Sequence, residues 1–434
     1  MIRDTLLALG LLLSTASQLR PAGLPIGPGE TCLLIWVGLM LGGMGGLLRS
    51  RMTPALSRML IFWVVFTISL CLGSATAFAI SDIHDPNLFI HDILAYVILF
   101  AVSLLCTVSP DAGCHLHRAA WLLTLFSTMF LGLQLLCAAG LVAIPGTDPW
   151  YWERFRGLSE NPNQLAIFCA VITFLSVHFI EHSAGFLRKA IAALCAMFSV
   201  YVGRLTRSDT YAIILVTGIL LFTALKLRSW LTMPKKNSSL GKAISGLVVL
   251  SLPMIAAMGL LFTNLIETET FDLMMDMAKG TRQETSETAN IRLNAWERAM
   301  DRGIKSGMLG LGPGPHIEIP AVLVAARREN TEPKYIEHPQ SNGTPNFEAH
   351  NTFLDLFTQG GLIATLSFTW LIAMALQSTC RMNLDALAVV VWSIIVLSMF
   401  HLIIRQPMFW FAVAFALVAG AESRASSLLP DQRT

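Results

Sequence analysis

Apolar runs of about 17–25 residues recur along nearly the whole chain, and this repetition constrains the fold more than any other feature. A helix needs about that length to cross a hydrocarbon core of roughly 30 Å, and its backbone amides must find partners within it once water is gone. Spans are expected near 3–19, 31–48, 59–80, 93–109, 119–144, 164–180, 186–203, 210–225, 243–263, 352–376, 387–404 and 407–423, twelve in all. Composition agrees: 54% of the 434 residues are hydrophobic and 13% charged, with a mean hydropathy of +0.62. That is more apolar surface than a soluble core of this size hides, so the expected fold class is an all-α polytopic membrane protein. The first run follows Arg3 and ends in a small-residue stretch, as a secretory signal would. Because another span follows it rather than a soluble domain, it is read as a retained helix.

Lysine and arginine counts in alternate connections set the orientation. With the N-terminus inside, the cytoplasmic connections and tails hold fifteen, among them Arg3, Arg58, Arg118, Lys189 and Arg381. The short outer loops hold six: Arg20, Arg154, Arg156, Arg204, Arg207 and Arg405. Both termini are then cytoplasmic. The chain divides into nine spans over 1–263, a large outer loop over 264–351, three spans over 352–423 and a polar cytoplasmic tail over 424–434. The net charge of +2 is spread over loops by topology, which gives nucleic acid nothing to bind. The eight cysteines fall in or beside spans, so the long loop has no disulfide framework. Cys114, His115 and His117 lack further ligands, and no metal site or cofactor is expected.

Two connections stand out. The outer loop 145–163, PGTDPWYWERFRGLSENPN, is rich in aromatic and charged residues, and 264–351 carries thirteen acidic and nine basic groups. Loops of that length in a compact protein are usually functional or partly folded. Within it, Ile291 to Asp301 reads as an amphipathic helix, with Ile291, Leu293, Ala295, Trp296, Ala299 and Met300 on one face. Arg292 falls in the middle of that face and calls for an anionic partner, a wet cavity or a route to the helix edge. The following GMLGLGPGPH, 307–316, reads as a tight structural turn before it reads as a phosphate cradle.

Ionisable groups at the membrane boundary are costly and require a partner or a task. Arg207 precedes the span at Thr210, where free helix amides favour an anion; the alternative is an interfacial anchor paired with Asp209. His350 stands just before a span capped by Asn351 or Thr352. With an ordinary pKa of about 6.5 it can take a proton from a sugar hydroxyl near neutral pH, or simply hydrogen-bond the loop. Asp355, one turn further, needs a partner such as Arg405 or Arg207 and reads first as an orienting group. Arginines and a histidine at one outer level fit a lipid-linked diphosphate attacked by a hydroxyl. Guanidinium groups bind such oxygens in pairs and supply the leaving-group stabilisation a metal would otherwise give.

Four stretches in order carry a resemblance: RGLSENPNQLA from Arg156, RLTRSDTYAIILVTG from Arg204, RLNAWERAM from Arg292 followed by GLGPG, and HNTFLDLFTQGGLIA from His350. Together with the twelve-span layout they resemble the O-antigen ligase and polymerase superfamily of bacterial polysaccharide assembly. The resemblance implies a type C glycosyltransferase-like fold in the bacterial inner membrane. It implies a glycan donor on undecaprenyl diphosphate and either lipid A core or a growing polysaccharide as acceptor. It places the functional positions on Arg207, Arg292 and His350. Substrate contacts are then expected at Arg154, Arg156, Arg204, Asn163, Asn351, Asp355 and Arg405. The family often has Ser-Arg-Gly where this chain has Thr206-Arg207-Ser208, which leaves Arg204 as an alternative to Arg207. A polysaccharide transporter or flippase is the rival class, but no internal repeat is seen and the unusual charges lie at the outer surface.

Overall fold

The computed structural model describes residues 1–21, 26–43, 52–80, 86–109, 111–151, 153–232, 283–318 and 346–428. The helices are α1 Ile2–Leu13, α2 Pro28–Gly42, α3 Pro54–Ala79, α4 Pro86–Val108, α5 Ala112–Ala138, α6 Pro162–His182, α7 Phe186–Leu205 and α8 Asp209–Thr232. They continue with α9 Gln283–Lys305, α10 Thr352–Arg381, α11 Asp385–Phe400 and α12 Pro407–Leu428. Two short antiparallel pairs complete the list: β1 Trp150–Tyr151 with β2 Arg154–Phe155, and β3 Ile317–Glu318 with β4 Asn346–Phe347. Helix starts are written in the sequence. Thr53 accepts from the Leu56 amide and Asn161 from the Asn163 amide, and α2, α3 and α6 each begin with proline in the first turn.

Among the described residues, α3 to α8 and α10 are long and apolar enough to cross a membrane, while α2, α11 and α12 are apolar but shorter. The chain is a multi-pass membrane protein. The span expected at 243–263 lies outside the described residues. The run 3–19 is not one helix. The α-helix stops at Leu13, where Ser14 and Thr15 hydroxyls turn back to the Leu11 and Leu12 carbonyls, and a 3₁₀ turn follows over Ser17–Leu19. Twelve residues of α-helix rise only about 18 Å, short of the bilayer core. The centre belongs to α6, α11 and α12, which are apolar all round and buried along most of their length. Trp410 of α12 packs there on Phe62 and Trp63 of α3.

The expected span 352–376 is also interrupted. Gly361 has φ +65°, a value that leaves the helix and suits glycine, and α10 folds back there into two limbs. Phe353 of the first limb meets Phe368 of the second, with ring centroids 5.6 Å apart. Those two residues would be about 22 Å apart along a straight helix.

Side-chain links sort the helix ends into two faces. On one, Asp4 of α1 meets His115 of α5 (2.8 Å), Glu422 of α12 accepts from the Gly113 amide, and Lys226 of α8 bridges Glu181 of α6 and Asp385 of α11. On the other lie the loop 139–161, the α7–α8 turn, the start of α10 and the α11–α12 connection. Gln18 binds that loop to the end of α1, donating to the carbonyls of Asp148, Gly157 and Ser159 and accepting from the Asp148 amide.

Candidate functional site

The segment before α10 is held from several sides. Asn351 caps the helix, its side chain accepting from the Phe353 and Leu354 amides. Asp355, buried one turn in, accepts from the amides of Ala349 (2.7 Å) and Asn351 (3.3 Å), which flank His350. The indole of Trp296 on α9 donates to the Ala349 carbonyl at 3.0 Å. Thr352 accepts from the Ile403 amide and donates to the His401 carbonyl, fixing the same segment to the α11–α12 connection. Between these anchors His350 has φ +51° and an exposed side chain. Left-handed backbone is uncommon for residues other than glycine, although asparagine, aspartate and histidine adopt it more readily than most, and it persists where neighbours over-determine it.

Arg405 stands behind this segment. Its guanidinium pairs with Glu348 at 2.7 Å and with buried Asp92 of α4. Burial works against its charge, but Glu348, Asp92 and Asp355 outweigh that and hold its pKa above the ordinary value. Beside it Tyr96 of α4 donates to Gln359 of α10 at 2.7 Å. Asp355 therefore finds its partners in two amides, with Arg405 acting through space. His350, Asn351, Asp355 and Arg405 are brought together as one group.

The glycine-rich stretch after α9 docks on the break in α10. The Leu311 and Gly312 amides donate to the carbonyls of Thr358 and Gln359 (both 2.8 Å), and Met308 accepts from Leu362 at 2.9 Å. These carbonyls lose their helical donors at Gly361, so the loop supplies what the break removes. The Gly310 amide goes to Ser306. From Gly307 to Gly312 the stretch is thus a structural turn, its amides spent within the protein. Gly73 of α3 admits the close approach, since a Cβ there would press on the Gln359 carbonyl and the Gly312 amide. The pairing of β3 with β4 then returns the chain to within three residues of His350.

A second group surrounds the α7–α8 turn. Arg154 donates to the Thr206 carbonyl and to Asn163 Oδ1, both at 3.0 Å, tying β2, the start of α6 and the turn together. Arg207, also left-handed at φ +48°, is exposed and pairs with Glu153, not with Asp209. Arg204, half-buried at the end of α7, keeps a buried Nε with no hydrogen-bond partner among the described residues. Arg156 serves its own loop, donating to the Asp148 and Glu160 carbonyls and pairing with the Asp148 carboxylate. The backbone of Arg292 lies in α9, and its side chain lies outside the described residues.

Residues 191–369 match the O-antigen ligase family. Over that stretch the chain is similar to the O-antigen ligase family. The family covers O-antigen ligases and polymerases and is glycosyltransferase-like. The matched stretch runs from α7 to the second limb of α10, and so contains Arg204, Arg207, Arg292, His350, Asn351 and Asp355. Arg154, Arg156, Asn163 and Arg405 lie outside the matched stretch; Arg154 reaches it at Thr206 and Arg405 at Glu348. Curated protein sequences give no match to the chain.

Sequence reasoning passed over Asp92, Tyr96, Glu348 and Glu153. Asp92 sits one residue before an expected span, where a carboxylate already asks for a partner. Tyr96 looks like any apolar-run residue until Gln359 comes beside it. His115 turns to Asp4 and His117 to Phe179.

Proposed function

We propose that the protein transfers a glycan from undecaprenyl diphosphate to an acceptor hydroxyl at the outer face of the bacterial inner membrane. The acceptor in this reading is lipid A core, which makes it a ligase. The observation that carries it is His350, exposed within the matched domain and held in a left-handed conformation by Asp355 and Trp296. The imidazole takes the proton of the acceptor hydroxyl, and that oxygen attacks the anomeric carbon. The bond from that carbon to the diphosphate oxygen breaks, inverting the configuration, and the diphosphate leaves on its lipid.

Guanidinium groups stabilise the departing charge without a metal ion. Arg207 is the exposed cation of the second group, and its Glu153 pair is solvent-facing and cheap to exchange for a diphosphate. Arg204, with a buried donor unspent, is placed to join it. Arg292 contributes from α9. Arg154 and Asn163 hold the turn that presents Arg207, while Arg405 and Asp355 hold the segment that presents His350. A polymerase uses the same donor chemistry with a growing glycan as acceptor, in keeping with a family that covers both.

The reading is tested in host cells by His350→Ala, checked for unchanged abundance in the membrane. Loss of glycan transfer is expected, and parental levels of glycosylated product would refute the assignment.

A further inference from the structure

The end of α6 carries a second chemistry, at the face opposite His350. His178, Glu181 and His182 follow the spacing His-x-x-Glu-His, which places all three on one side of the helix. Each offers a ligand atom, and these atoms lie within 4.8 Å of one another. The two imidazole rings are 4.4 Å apart between centroids.

His178 supplies the independent observation. It is 4% exposed, and its Nδ1 is buried with no hydrogen-bond partner among the described residues. An imidazole nitrogen buried that way is costly unless something occupies its lone pair or proton. His182 is set up in the complementary way. Its Nδ1 lies 3.1 Å from the His178 carbonyl, which can only accept, so that nitrogen carries the proton and Nε2 keeps its lone pair. A backbone carbonyl fixing one nitrogen of a histidine so that the other can ligate is the usual outer support of a metal-bound imidazole. The negative end of the α6 dipole adds a favourable field for a cation.

We propose that His178, Glu181 and His182 bind a divalent transition-metal ion of the zinc class. Two imidazoles and a carboxylate favour such an ion over magnesium or calcium, which take oxygen donors. His182 is exposed, so solvent can complete the coordination. Lys226 at present contacts Glu181 and also lies 2.8 Å from Asp385. When the metal draws on Glu181, Asp385 keeps the ammonium partnered. The site is about 28 Å along α6 from Asn163, too far to take part in glycan transfer. Its place is structural, a clasp where the ends of α6 and α8 and the start of α11 meet.

The test uses full-length protein purified in detergent through a histidine-free tag, stripped with a chelator and titrated with Zn²⁺ against a chromophoric competitor. One equivalent should bind, and His182→Ala, at an exposed position, should weaken binding at least about tenfold, the low end of what losing even an outer partner costs. Glu181→Gln should weaken it as well. Zinc affinity equal in the parent and both variants would overturn the proposal, as would a parent protein that binds no zinc while eluting as a folded species.

Discussion

At the scale of single residues, the proposed mechanism gives the chemistry to His350 and the positioning to Asp355, which accepts from the amides on either side of it. A histidine in the left-handed region costs about 1–3 kcal/mol, which the surrounding hydrogen bonds sustain. His350→Gly should therefore abolish transfer yet raise stability by about 1 kcal/mol, read as a higher midpoint of thermal unfolding in detergent. A lower midpoint would show that the imidazole itself holds the fold. Asp355→Ala removes the acceptor of both amides flanking His350, a loss of about 2 kcal/mol. It should also cut turnover about 100-fold through misplacement of the imidazole, with the donor KM little changed. An undiminished kcat would show that Asp355 does not position His350. The cation behind them does not titrate under such assays. Arg405 has a raised pKa, so its contribution is fully present at every pH below the ordinary arginine range and is lost only in stronger base. His350 and Asp355 were legible in the sequence because a charge beside an apolar run is conspicuous. Tyr96 and Gln359 were not, since their pairing depends on α4 meeting α10 across 263 residues.

At the scale of elements, α10 decides how the long loop meets the membrane helices. Periodicity and hydropathy read 352–376 as one span because Gly360 and Gly361 interrupt neither signal. The break appears only in the backbone, where φ +65° frees the carbonyls that accept from Leu311 and Gly312. Gly361→Ala should straighten α10, since a Cβ would press on the Met308 carbonyl and the combination of φ +65° with ψ −160° is open essentially to glycine. The expected result is faster amide exchange at Leu311 and Gly312 and loss of transfer, with the membrane helices retained. Unchanged exchange would mean that the docking survives without the break. A broken helix is also a transporter trait. Here the broken end is spent on docking a loop of the same chain.

At the scale of the whole molecule, the side-chain links divide helix ends between two faces, and the proposed reading, following the charge bias, takes the His350 face as the outer one. Lys305→Cys on α9 and Ala184→Cys in the α6–α7 turn report on the two faces, each compared with the parent protein. In spheroplasts a membrane-impermeant maleimide should label the first and reach the second only after lysis. Equal labelling before lysis would contradict the orientation. Most helices were legible in the sequence because each is a long apolar run. The end of α1 and the break within α10 were not, since hydroxyl back-bonding sets the first and one glycine the second. The account stands most directly on one measurement: purified parent protein and His350→Ala, each given an undecaprenyl-diphosphate oligosaccharide with and without lipid A core. Product from the parent only when the core is present, and none from the variant, is the predicted result. Transfer by the variant at the parental rate, or none by folded parent with intact donor and core, would contradict it.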